Sequence, residues 1–523
     1  MATILSATPG LLKIANLAGA RGFLAQLAPL NPAQRQAQLL TQLKLLADAR
    51  VTGDMRLQVL EAVRSAILES QHARSRDYWG KPVPFDDDTR EIFERTVAIW
   101  RALADAYESL ITDMAEAAPD LAEHAEVICY RALRCTGFAM SAHNRAYYEI
   151  PGALWEQLHR LYAFSESAGV TDMPVPEGGG NSTVALSYLQ TVLAQRAQPD
   201  ALSLLQMNTV DRALAQWVGL GRISVAQPGV ADDTEFALGV DLDSCAGAQQ
   251  LMQYTGGNLR RLHLEKIGDQ LRKTAIALKT QRPDQLGLGS IAPAACEQLL
   301  QRLHAHWFTP GAARVDERKP VSFSVLVSNT LAAMHYNISG KPFAPPDAGL
   351  SSRARFEMAG FERVDGPAIG EVSARSRILE TWEVANQSSS GILGVCRKPT
   401  DTTRLTHNQM LGLVAPNGNT YVGMVQRLSV DAQGAAWLGF RVLPLKVQPV
   451  AARVADIDVP YDRALLLPAS AEGDPPTIVV HPGTYASGRV LDMHDGGDRP
   501  RQIRLIALYD SGSNFERATY TAV

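Results

Sequence analysis

The sequence lacks an excess of charge of either sign. Its 523 residues carry 54 acidic and 50 basic side chains, a formal net charge of −4. Wholesale electrostatic binding to nucleic acid, which needs a clustered positive field, is therefore not expected, and any phosphate site must be small. Cysteine is scarce as well. Cys129, Cys135, Cys245, Cys296 and Cys396 are odd in number and form no C-x-x-C pair. That pattern fits neither a zinc site nor a thiol-redox motif, and a reducing cytoplasm is the simplest setting. No run of 18 uninterrupted apolar residues occurs, so no membrane-spanning helix is expected. The opening stretch MATILSATPGLLKIANLAGARGFLAQL has no basic region ahead of its apolar part and is interrupted by Lys13 and Arg21, so no signal peptide is expected. What is present is an ordinary globular balance, 46% hydrophobic and 20% charged. It excludes a disordered, collagen-like or coiled-coil chain and suggests about three folding units.

Up to about residue 310 the pattern is helical. Asn31-Pro32 supplies a cap and a first-turn proline for a helix in which Leu39, Leu43 and Leu46 share one stripe. A second helix follows from about Gly53. DDDTREIFERTVAIWRALADAYESLITDM opens on three aspartates, which favour a helix N-terminus, and repeats Ile92, Val97, Trp100, Leu103, Tyr107 and Leu110 at helical spacing. Another helix, opened by Pro151, aligns Trp155, Leu158, His159 and Tyr162. In PVPEGGGNSTVALSYLQ, three glycines precede a cap expected at Asn181 or Ser182. The segment reads as a linker more readily than as an anion-binding loop, because it lacks the G-K-[ST] of a phosphate loop. NLRRLHLEKIGDQLRKTAIALKTQ reads as a basic helix with a solvated face.

After Pro310 the texture changes. KPVSFSVLVSN, ILETWEVAN, NTYVGMVQRLSV and AAWLGFRVLP alternate and are rich in β-branched residues, and Pro416-Asn417-Gly418 and Asp431-Ala432-Gln433-Gly434 mark turns. Residues 341–370 read as a long Pro/Gly-rich connection. Further β-like stretches, RALLLPA, PTIVVHPGTY, GRVLDMH, RQIRLIALYD and ERATYTAV, are either a separate small barrel or an extension of the preceding sheet.

Two short patterns flank strands in the first β region. Arg314 and Arg318 form R-x-x-x-R before KPVSFSVLV; Asn386, Ser388 and Gly391 form N-x-S-x-x-G after TWEVA. Two guanidiniums can fork onto phosphate oxygens or a guanine O6/N7 edge. The Asn amide and Ser hydroxyl can meet a second polar edge, and Gly permits close approach of the backbone. Together they suit a compact purine nucleotide carrying several phosphates.

With these motifs and the following strands ILGV, QMLGLVAP, YVGMVQRLSV and WLGFRVLP, residues 312–446 resemble a PilZ domain, the bacterial β-barrel family whose binding members recognise cyclic di-GMP. The resemblance implies that Arg314, Arg318, Asn386, Ser388 and Gly391 grip the dinucleotide. One departure is visible: 68 positions separate Arg318 from Asn386, more than the family usually leaves, so an insertion near 341–370 is expected.

The expected architecture is α+β and multidomain. An N-terminal all-α helical bundle or helix-hairpin array, residues 1–310 with a possible break near 170–182, precedes a PilZ-like antiparallel β-barrel (311–448) and a small C-terminal β domain or sheet extension (449–523). No catalytic or metal-binding set emerges. His304 and His306 diverge on a helix, Asp492 and His494 have no third ligand at a typical spacing, and Cys129 and Cys135 have no identifiable His partner. The function expected from the resemblance is a non-enzymatic cytoplasmic adaptor without a cofactor. It would bind cyclic di-GMP and pass the signal to a protein partner through the helical module, with no DNA or RNA partner. The alternative is a protein-interaction scaffold whose barrel has no ligand affinity.

Overall fold

The computed structural model describes residues 11–116, 118–226, 236–251, 257–309, 319–344, 380–388, 391–400, 403–443, 446–457, 459–469, 475–497 and 500–523. By its contacts the chain forms two compact units, Met1–Lys81 with Phe85–Arg314, and Pro82–Pro84 with Val315–Val523. The architecture is α+β, a helical N-terminal unit followed in sequence by two closed antiparallel barrels.

The first unit contains helices α1 (Leu17–Leu27), α2 (Pro32–Asp48), α3 (Gly53–Ser75), α4 (Asp87–Glu116), α5 (Ala125–Ala146), α6 (Gly152–Ser167), α7 (Val184–Arg196), α8 (Leu204–Trp217), α9 (Glu265–Ala277) and α10 (Pro293–Phe308). The start of α2 has the expected cap: the Asn31 side chain accepts from the Gln34 amide at 2.9 Å, and the Gln34 side chain returns the contact to the Asn31 amide. Leu39, Leu43 and Leu46 are buried as their spacing requires. On α4 the buried stripe is Phe93, Ile99, Trp100, Leu103, Tyr107 and Leu110, with Ile92 and Val97 only half-buried at its margin.

Helix α5 lies against α4, α6 and α7, and its Arg131 is 5% exposed. The guanidinium survives burial because two carboxylates meet it: Nε donates to Glu61 of α3 at 3.1 Å, and Nη1 pairs with Glu177. Glu177 ends strand β1 (Val175–Glu177), which pairs with β2 (Gly180–Ser182). The glycine-rich stretch is thus a tight hairpin rather than a linker. Gly178 and Gly179 take φ of +57° and +85° at its turn, a backbone region open to glycine. The cap of α7 is Thr183, one residue beyond the expected pair, its hydroxyl accepting from the Leu186 amide.

The N-terminal unit is not all helical. Strands β3 (Arg222–Val225), β4 (Leu238–Asp241), β5 (Gln249–Gln250) and β6 (Leu259–His263) form a sheet of order β3-β6-β4-β5. The basic stretch expected as one helix therefore splits into β6 and α9. Leu259 and Leu262 are buried, and Arg260 is held by a forked contact to Glu166 at 2.6–3.0 Å rather than facing water. Pairing with β3 and β4, both distant in sequence, overrides the local helical pattern.

The first barrel is built from β7 (Lys319–Ser328), β8 (Glu380–Gln387), β9 (Gly391–Cys396), β10 (Met410–Val414), β11 (Thr420–Val430) and β12 (Ala436–Val442), in the order β10-β11-β12-β9-β8-β7. The turn expected at Asp431 closes as an Asp loop, with Oδ1 accepting from the Gln433 and Ala435 amides and Oδ2 from the Trp437 indole. A helix the sequence pattern does not announce, α11 (Leu331–Ser339), follows β7. Most of the connection expected at 341–370 lies outside the described residues.

The C-terminal segment is more than a sheet extension. β13 (Gln448–Val454), β14 (Asp462–Leu467), β15 (Thr477–Val480), β16 (Val490–His494), β17 (Arg501–Ser511) and β18 (Glu516–Ala522) close a barrel of order β13-β14-β15-β18-β17-β16. One apolar cluster joins the two barrels. Leu331 and Met334 of α11 pack with Met410, Val422 and Met424 of the first and with Leu465, Leu467, Val479 and Phe515 of the second. Asn514 adds a polar clasp, accepting from the Met410 amide at 3.0 Å and donating to the Met410 and Asn329 carbonyls at 2.9 Å.

Met334 is fully buried in that cluster. Met334→Ala should lower stability by about 3 kcal/mol, read from urea unfolding; an unchanged midpoint would contradict the shared core. In the helical unit, burial pushes the His143 imidazole down to about 4 and lowers His159 as well. Both stay neutral in the fold while an unfolded imidazole takes up a proton near pH 6.5. Stability is full above that value and falls as pH drops toward 4. His143 alone should cost about 2 kcal/mol at pH 5. Urea unfolding at pH 5 and pH 7 should show this loss, reduced in His143→Gln; the same midpoint shift in the variant would contradict the assignment.

Candidate ligand-binding end of the first barrel

Of the five residues the motifs single out, three are described. Asn386 is half-buried near the end of β8. Ser388 follows that strand; its amide donates to the Gly391 carbonyl at 2.8 Å, and its hydroxyl reaches the same oxygen at 3.4 Å. Gly391 opens β9. A Cβ built there would stand 3.2 Å from the Phe440 carbonyl oxygen, so a side chain at this position would crowd β12. Arg314 and Arg318 lie outside the described residues.

Strand register shows where β7 begins relative to the end of β8. Lys319, the residue after Arg318, pairs with Gln387, and Pro320 pairs with Asn386. The start of β7 therefore runs beside the strand end that leads into N-x-S-x-x-G. Two irregularities occur here: β7 shifts register between Pro320 and Phe323, and β8 shifts between Val384 and Asn386 against β9. Bulges at a barrel rim bend strands and re-aim side chains. Trp382 and Val384 remain inside the barrel, while Asn386, beyond the bulge, is half-buried.

The motifs miss one cation. Arg441 on β12 is the register partner of Gly391, and its side chain is half exposed, 3.9 Å from Asp510. Its neighbour Phe440 is buried, so alternation along β12 turns Arg441 to the outer face. The cue was the alternation in WLGFRV. Lys319 is exposed at the same rim. A turn, a carboxamide, a hydroxyl and two exposed cations thus gather at this end, a set suited to hydrogen-bonding an anionic ligand.

The other residues considered from sequence are engaged elsewhere. Asp492 meets Arg453 at 3.2 Å and Gln502 at 3.0 Å rather than forming a ligand pair with His494. His304 lies against Phe308 in α10. Burial pushes the thiols of Cys129 and Cys135 up to about 12, which disfavours the nucleophilic thiolate at neutral pH. Among the described residues, no three His, Cys, Asp or Glu side chains gather as metal ligands would, and no helix is long and apolar enough to cross a membrane.

Gly391→Val should destabilise the barrel by about 2 kcal/mol through the contact with Phe440, whereas Ser388→Ala should cost less. Thermal melting of both variants checks the order, and a neutral Gly391→Val would contradict it.

Comparison with known proteins finds similarity on both sides of this barrel. The model described as "Cyclic-di-GMP receptor FimW, N-terminal domain" matches residues 18–228, and that of the "FimW C-terminal beta-barrel domain" matches residues 450–523. The barrel carrying the PilZ-like motifs lies between these matches. Among curated proteins, the "Cyclic-di-GMP receptor FimW" of Pseudomonas aeruginosa is 26% identical over 172 residues, 33% of this chain and 28% of that protein. The match thus spans little more than a quarter of the relative's length. No solved structure matches. The first helical domain and the last barrel, together more than half of the chain, are thus each similar to a domain of FimW.

Proposed function

We propose that this chain is a cyclic di-GMP receptor, non-enzymatic and cytoplasmic, whose ligand is held by Arg314, Arg318, Asn386, Ser388 and Gly391 at the β7/β8 rim of the first barrel. The observation that carries the reading is the pairing of Lys319 with Gln387 and of Pro320 with Asn386. Lys319, which follows Arg318 in the sequence, thus lies beside the strand end that carries Asn386, although 68 positions separate the two motifs along the chain. Guanidiniums keep their charge at any physiological pH and fork onto phosphate or guanine edges. The carboxamide and hydroxyl add neutral contacts, and Arg441 and Lys319 supply further positive potential. The printed description of the Pseudomonas aeruginosa relative supports the same ligand class.

The long spacing that set the sequence apart contains α11, which is integral to the core shared by the barrels. Part of the extra length thus has a structural role in the core shared by the barrels. The segment that carries the arginines also connects α10 covalently to β7, so its engagement by a ligand provides a route by which binding alters what the helical module presents to a protein partner.

Isothermal titration of the full chain with cyclic di-GMP tests the site. Loss of a charged hydrogen bond costs about 1.5–3 kcal/mol, so Arg314→Ala and Arg318→Ala should each weaken binding about tenfold or more. Undiminished affinity in both variants would reject the assigned residues. No binding by the wild type would leave the scaffold reading.

A further inference from the structure

We propose that the helical unit contains a second ligand site, separate from the barrel rim, for a small organic anion with a flat ring, of the nucleoside monophosphate kind. The site is a pair of adjoining cavities along the C-terminal half of α5. Arg134, Phe138, Ser141 and Arg145 recur on α5 at helical spacing and so form one stripe. On one side of the stripe, with α7 and α8, is a cavity of about 180 Å³; on the other, with α3 and α4, is one of about 370 Å³. Phe138, Ser141, Arg145 and Asp211 line both. The larger alone reaches the size range of small-molecule sites, about 300–1,000 Å³.

The two compartments differ in chemistry. The smaller is polar, and Arg134, Asn144, Gln190, Thr191 and Gln195 contribute to its wall. Two polar atoms there are shielded from solvent and have no hydrogen-bond partner among the described residues: Nε of Arg134, a donor, and Oε1 of Gln195, an acceptor. A side-chain contact of Arg134, from Nη1 to Gln190, is long at 3.4 Å. Arg145 is already neutralised by Asp211 and bonds Asn208 at 2.8 Å. Among the described residues no carboxylate pairs with Arg134, so it leaves the compartment with an uncompensated positive charge.

The larger compartment is aromatic. Tyr78, Trp79, Trp100 and Phe138 line it with Gln71. Trp100 and Phe138 lie 4.7 Å apart, and the Arg145 guanidinium sits 4.3 Å over Trp79. Flat unsaturated rings pack well in such surroundings. A charge at Arg134 and a ring toward Trp100 describe one ligand, an anionic group on a planar body.

The test is calorimetric titration of the full chain with guanosine 5′-monophosphate and adenosine 5′-monophosphate, with inorganic phosphate and adenosine as partial probes. At least one monophosphate should bind more tightly than either partial probe. Arg134→Gln should weaken it about tenfold. Ala194→Leu, which places bulk into the smaller compartment, should weaken it as much without lowering the melting temperature. Arg314→Ala and Arg318→Ala should leave it unchanged, which separates this site from the barrel. Absence of binding by both monophosphates, or equal binding by wild type and the two cavity variants, would mean a water-filled void and overturn the proposal. So would loss of binding in the barrel variants alone.

Discussion

The antiparallel pairing of β7 with β8 is the constraint on which the functional reading depends. In a closed barrel every strand has two neighbours, and a slip of one residue would turn each buried side chain outward. Val325 and Val327 of β7 and Trp382 and Val384 of β8 are all buried, so their packing fixes the register. Beyond the irregularity between Pro320 and Phe323 the pairing resumes, one residue out of step, and brings Lys319 beside Gln387 at the rim. The start of β7 and the end of β8 are brought together by the apolar packing farther along these strands, and the groups at the rim need no affinity for each other. The bulges near Asn386 then interrupt the regular alternation where a ligand would need side chains re-aimed.

A second consequence of packing is that the barrels are not beads on a string. Helix α11 follows β7, and its Leu331 and Met334 belong to the same cluster as Leu465, Leu467 and Phe515 of the C-terminal barrel. The Asn514 carboxamide satisfies both backbone groups of Met410 at this junction, where unpaired polar atoms would be costly. The strand that begins at the proposed site thus leads within a few residues to the element that holds the second barrel. In the helical unit the analogous tie is ionic: Arg131 joins α3 through Glu61 and the β1–β2 hairpin through Glu177.

Much of this was legible in the sequence, for reasons that also explain what was not. Asn31-Pro32 announced α2, the leucine stripe announced its buried face, and alternation after Pro310 announced the barrel strands, because each signal is local. The small sheet of the N-terminal unit depends on partners spread over residues 222–263, and β6 in isolation, LRRLH, reads as the start of the helix that follows. The nine residues of α11 were obscured by their place between a strand and a Pro/Gly-rich connection. At the candidate site, Ser388 and Gly391 do build one turn as their spacing suggested. Arg441 was missed because its proximity to Gly391 is a cross-strand relation between β9 and β12, invisible to any motif read along the chain. The C-terminal strands were recognised one by one; their closure into a barrel rests on the pairing of β13 with β16, which no local pattern encodes.

The central claim is that one rim of the first barrel, where β7 starts and β8 ends, receives cyclic di-GMP. Amide hydrogen exchange on the full chain, with and without saturating dinucleotide, tests it most directly, because it reports position as well as binding. The account predicts new protection in peptides covering residues 312–323 and 384–393, including those that contain Arg314, Arg318, Asn386 and Ser388. Protection confined to the C-terminal barrel or to the helical unit, with these two segments unchanged, would contradict it.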